Sequence, residues 1–165
     1  GGPARLSGRG LIGYIVVNML LYITVGIEEE LMFRSVVTEC VLRKNSNIIV
    51  FASVYSGLLF GLAHITNFIF DADMTMFNKW CTMIMACVFG FTLAVIFLRT
   101  KSIGAVITLH FLWDFADFMN HMMIVERYRY GGSYNALALQ IPVLIVMLVI
   151  AVFCMYKRQM RLQSV

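Results

Sequence analysis

Glu28-Glu29-Glu30 with Arg34, then His64, then His110 with Asp114 and Asp117 interrupt runs of sequence that are otherwise apolar, and His121 follows near the end of the last run. An ionisable side chain at the centre of a membrane helix costs at least ~2.5–3.5 kcal/mol, so such groups turn toward a protein interior and mark functional sites by default. On a helix, side chains four apart share a face, whereas neighbours diverge by about 100°. Arg34 therefore lies over Glu30, and the spacing predicts an internal Glu30–Arg34 ion pair, for which the bidentate guanidinium suits a dry site. Glu29 points elsewhere, has no cation near it in sequence and is able to take a proton. Glu28 fits the plain role of a helix-end charge, and that role for the whole triplet is the competing reading. His64 follows Phe60 by four residues, where a lone imidazole is ordinarily a hydrogen-bonded packing residue. His110 and Asp114 are also four apart, so one helix face presents an imidazole and a carboxyl together.

Two histidines, a Glu and an Asp on three apolar helices can converge only in the interior of a bundle. No Ser or Cys stands beside a base as a nucleophile. The simplest chemistry is activation of water: a carboxylate accepts the proton, an imidazole orients the water and the remaining groups stabilise an oxyanion. A metal centre is the rival, because His and carboxylates bind zinc and His110, Asp114, Asp117 and His121 recur at helical spacing. Against it, the HExxH pairing is absent and no histidine has a second at i+4. The expected cofactor set is none, with zinc as the alternative.

The elements that must hold these groups are membrane helices. Apolar residues make up 61% of the 165 and charged residues 13%, against about 25% charged in a soluble domain, and the mean hydropathy is +0.83. A bilayer core about 30 Å thick needs about 20 mostly apolar helical residues. Five segments qualify: 11–27, 48–66, 79–98, 103–124 and 136–156. After the first, the apolar pattern resumes over 31–42, as one long tilted helix or as a span followed by an amphipathic helix. The expected fold is an all-α polytopic transmembrane bundle of about five membrane segments in a single domain, 1–165. Gly57 and Gly61 form a GxxxG pattern that lets another helix approach closely.

The net charge of +4 comes from bases clustered between the apolar runs, which reads as membrane-flanking charge rather than a nucleic-acid surface. With alternating spans, Arg5, Arg9, Lys79, Arg127 and Arg129 fall on one side, and the more numerous Arg43, Lys44, Arg99, Lys101, Lys157, Arg158 and Arg161 on the other. The positive-inside bias then places the C-terminus in the cytoplasm of a multi-pass integral membrane protein. Cys40, Cys81, Cys87 and Cys154 make no CxxC pair and read as small buried hydrophobes. The chain begins Gly1-Gly2-Pro3 without an initiator Met, so a trimmed or fragmentary chain is expected.

Glu29-Glu30-Leu31-Met32-Phe33-Arg34 fits EExxxR, Phe60 to His64 fits FxxxH, and His110 to Asp114 fits HxxxN/D, in that order on successive apolar segments. In this the chain resembles the CAAX protease and bacteriocin-processing (CPBP, abortive-infection) family of intramembrane proteases, which includes the type II CAAX prenyl endopeptidase. The resemblance spans Glu29 to Asp114, about half the chain. It implies that Glu29 is the general base, helped by His64, that His110 and residue 114 form the oxyanion site, and that Glu30, Arg34 and Phe60 support them, without a metal. The prenyl endopeptidase branch has Asn at the last position, where Asp114 stands here, and an ionised Asp cannot donate to an oxyanion. Either Asp114 is protonated, or it holds His110 as imidazolium and the histidine stabilises the oxyanion. The expected partners are the lipid bilayer, a peptide or membrane-protein substrate and a possible membrane-protein partner. Two other readings stand beside the protease. One is a non-enzymatic immunity or regulatory scaffold. The other is an ion- or proton-coupled transporter, which the lack of an inverted repeat disfavours.

Overall fold

In the computed structural model, residues 8–38, 40, 49–70, 75–129, 142, 145–146 and 148–149 are described. Their order is helix α1 (Gly8–Glu30), a π-helical segment (Leu31–Thr38), α2 (Ile49–Ala63), α3 (Thr66–Phe70), α4 (Met76–Thr100) and α5 (Ile103–Arg129). Every described element is helical. The two readings of the first segment are resolved as one rod: α1 runs into the π turn without a break, and Arg9–Thr38 is long and apolar enough to cross a membrane. Phe51–Phe70 and Met76–Thr100 also qualify, giving three candidate spans among the described residues where the sequence suggested about five. The difference has two sources. α5 has the length but carries His110, Asp114 and Asp117, and the expected fifth segment, 136–156, lies outside the described residues apart from isolated helical positions.

The π winding begins immediately after the Glu triplet. A π turn spans one residue more than an α turn and is found often at functional sites. Here Thr38 Oγ1 donates to the Phe33 carbonyl, five residues back, at 2.7 Å, and Ser56 Oγ of α2 donates to the same oxygen at 3.3 Å. Two buried hydroxyls thus satisfy a carbonyl displaced from regular α geometry. This segment touches α2, α4 and α5, so the residues beside it face the whole bundle.

α2 lies against α4, and α1 against α5. The glycine pattern governs the first contact. A Cβ on Gly57 would come within 2.7 Å of the Cys87 carbonyl oxygen and the Phe91 nitrogen, and one on Gly61 would collide with Cys87 Sγ. The packed interior holds Phe33, Phe60, Phe89, Leu93, Phe97 and Val106, while Leu11, Ile12, Val16, Val17, Leu20 and Leu21 of α1 point outward. An apolar rind over a small core suits lipid as the solvent.

Three expectations are revised. The second segment does not run helical through residue 66: α2 ends at Ala63, and His64 and Ile65 form a turn, with i to i−3 bonds to Gly61 and Leu62 at 3.0 Å. His64 Nδ1 donates instead to the Phe60 carbonyl at 2.9 Å, taking the acceptor its own backbone N–H would have used. Lys79 is not a flanking charge. It is buried one turn inside α4 and donates from Nζ to the Phe68 carbonyl of α3 at 3.1 Å. Of the cysteines, Cys40 is exposed, Cys81 and Cys87 are half-buried, and all three are unbonded thiols; Cys154 lies outside the described residues.

Candidate active site

The last turn of α1 and the middle of α5 bring the candidate residues together. Arg34 Nε lies 2.8 Å from Glu30 Oε2, and both side chains are fully buried, as the i, i+4 spacing predicts. No hydrogen bond accompanies this contact, so the pair is held by charge. The guanidinium carbon also lies 5.0 Å from the Phe60 ring centroid, a favourable cation–π distance.

Glu30 has a second partner that local spacing does not reveal. Its Oε1 accepts from His110 Nδ1 at 2.8 Å, across from α1 to α5. A carboxylate can only accept, so Nδ1 carries a proton and Nε2 faces the other way. There it meets Glu29 Oε2 at 3.6 Å and Asp114 Oδ2 at 3.4 Å. The Glu29 and Asp114 side chains are 34% and 23% exposed, whereas those of His110 and Glu30 are 4% and 0%. The outer carboxyls are therefore reachable, and the inner three groups, Arg34, Glu30 and His110, form a buried chain behind them. Glu28 is exposed at the helix surface.

Aromatic rings set the imidazole plane. Phe89 of α4 meets His110 edge-on with centroids 5.2 Å apart, and Phe60 of α2 does so at 5.7 Å. Phe60 also lies 5.1 Å from the His64 ring and 5.1 Å from Phe33. It is the common neighbour of Arg34, His64 and His110, so the second motif joins the centre through its phenylalanine. A Cβ on Gly90 would lie 2.7 Å from the Phe60 Cβ, which makes residue 90 part of the seat for this ring. Phe89, Gly90 and Trp113, whose ring lies 5.1 Å from Phe89, carry no sequence signal that separates them from other apolar helix residues.

Among the described residues no three His, Cys, Asp or Glu side chains are arranged to hold a metal ion. Of the helical stripe His110, Asp114, Asp117 and His121, the last side chain lies outside the described part.

Chemically, the arrangement offers two accessible carboxyls in front of a buried, oriented imidazole, inside a bundle of apolar helices. Fold and site together define a helical membrane protein with an internal carboxylate–imidazole centre. The chain is a member of the type II CAAX prenyl endopeptidase Rce1-like family, whose model matches residues 11–116, more than half its length. That stretch contains Glu29, Glu30, Arg34, Phe60, His64, His110 and Asp114, and the family is one of membrane proteases. No curated protein and no solved structure matches the chain.

Proposed function

We propose that this protein is an intramembrane endopeptidase that hydrolyses a peptide bond near the membrane interface with water activated by Glu29. The observation that carries the reading is the Glu29 carboxylate, partly open and 3.6 Å from His110 Nε2, in a member of a prenyl endopeptidase family. Water gives a proton to Glu29 as it attacks the carbonyl carbon. His64 donates Nδ1–H to Phe60, which leaves its Nε2 as an acceptor for orienting that water. His110, with Asp114 beside it, stabilises charge on the tetrahedral intermediate. No metal takes part. The substrate is a peptide or membrane protein of the CAAX type, and the charge asymmetry of the loops supports a cytoplasmic C-terminus.

The test is cleavage by the purified protein of fluorogenic peptides ending in Cys-aliphatic-aliphatic-X, with and without a prenyl thioether. Each is run with and without chelator and beside Glu29→Gln. The expected result is turnover by wild type that resists chelator and disappears in Glu29→Gln at unchanged Tm. Cleavage by Glu29→Gln within a few-fold of wild type removes Glu29 as the base.

A further inference from the structure

Glu29 on α1 and Asp114 on α5 address the same atom. Their carboxylate oxygens stand 3.6 and 3.4 Å from Nε2 of His110. That nitrogen offers at most one proton, and Nδ1 is already committed to Glu30 at 2.8 Å. Two ionised carboxylates on one donor repel each other, and a proton on one of them removes the conflict. Among the described residues, the other groups facing Asp114 are Tyr22 of α1, His64 in the turn after α2 and Asp117 of its own helix, none of them a Lys or Arg. Arg34 is engaged behind the imidazole, on Glu30. The front of the site is thus a pair of reachable carboxyls set by one buried imidazole, the arrangement in which one acts as base and the other as acid.

Peptide hydrolysis needs both. A base takes a proton from water, and the departing nitrogen must gain a proton, because an amide anion does not leave. Resting on the endopeptidase reading above, we propose that Asp114 is the general acid that protonates the leaving amine, with Glu29 as its partner base. Water oxygen bonds to the carbonyl carbon while one water proton passes to Glu29, giving a tetrahedral oxyanion. The oxyanion re-forms the carbonyl, and the C–N bond breaks with its electron pair going to nitrogen, which takes the proton from Asp114. The products are a carboxylic acid and an amine. Glu29 is left protonated and Asp114 ionised, and transfer of that proton from Glu29 to Asp114 restores the starting state. Asn at position 114 would keep a hydrogen-bond donor but could not supply the proton.

A matched pair of peptides separates this role from oxyanion binding. One has an amide at the scissile position and the other a thioester, whose thiolate departs without a proton. In Asp114→Asn, amide turnover is expected to fall by about 100-fold or more, the scale of lost acid catalysis, while thioester turnover falls by less than about 5-fold. Asp114→Glu, which keeps an acid, is expected to recover part of the amide turnover. In wild type, amide cleavage declines at high pH as the acid ionises, and this limb is expected to be absent from the residual activity of Asp114→Asn. Equal losses on both substrates, or none on either, overturn the assignment and leave the endopeptidase reading standing. Failure of wild type to cleave either peptide overturns the endopeptidase reading itself and the assignment with it, and full activity in Glu29→Gln removes Glu29 as the partner base and overturns the assignment.

Discussion

His110 Nδ1 and Glu30 Oε1 are 2.8 Å apart although 80 residues separate them in the chain. Through this bond the buried pair Glu30–Arg34 also aims the imidazole, because the proton committed to Glu30 turns Nε2 toward Glu29 and Asp114.

Removing Arg34 therefore strands a buried carboxylate. Arg34→Ala is expected to cost about 3–5 kcal/mol, the scale for breaking a buried ion pair from one side, and to lower Tm well below that of Glu29→Gln. The double change Glu30→Gln with Arg34→Met should recover part of the loss, since it replaces the pair by neutral groups of similar size. Thermal unfolding in detergent measures all three. A single variant as stable as wild type shows that the pair is not buried in the protein.

His110→Ala and His64→Ala are each expected to lower peptide turnover by about 100-fold or more, the range for lost acid–base or oxyanion help. The two should differ in stability. His110 is enclosed by Glu30, Phe60 and Phe89, whereas half-buried His64 serves mainly its own helix end through the Phe60 carbonyl. Tm is expected to fall further for His110→Ala, and kinetics of both proteins at matched folding check the shared site.

Phe60 touches Arg34, His64 and His110 at once. Phe60→Ala is expected to cost about 3–5 kcal/mol and to depress turnover even at temperatures where the variant is fully folded. Phe60→Leu keeps most of the volume but not the ring, so it should regain more stability than activity. A parallel recovery of both would reduce Phe60 to a filler of space.

Gly57→Ala tests the α2–α4 contact. The added Cβ meets backbone atoms of α4 at 2.7 Å, which no rotamer change relieves. The expected outcome is a lower Tm and easier proteolysis of the folded protein, whereas Gly13→Ala on α1, where a Cβ meets open space, should leave both unchanged.

Much of this protein is legible in its residue order. Apolar runs of span length and a scarcity of charge require helices in lipid, because a buried backbone in hydrocarbon must bond within itself. Within one helix the period is fixed, so the Glu30–Arg34 pair, the shared face of His110 and Asp114, and the small-residue face of Gly57 and Gly61 follow from spacing alone. Contacts between helices do not, because they depend on how each rod is rotated and how deep it sits. The Glu30–His110 bond, the joint approach of Glu29 and Asp114 to one nitrogen, and the Phe60 and Phe89 rings around the imidazole all depend on that rotation. So does the burial of Lys79, which a short helix covers instead of leaving it at the membrane surface. Local periodicity sets which residues share a face. Packing around the π segment after Glu30 sets which faces meet.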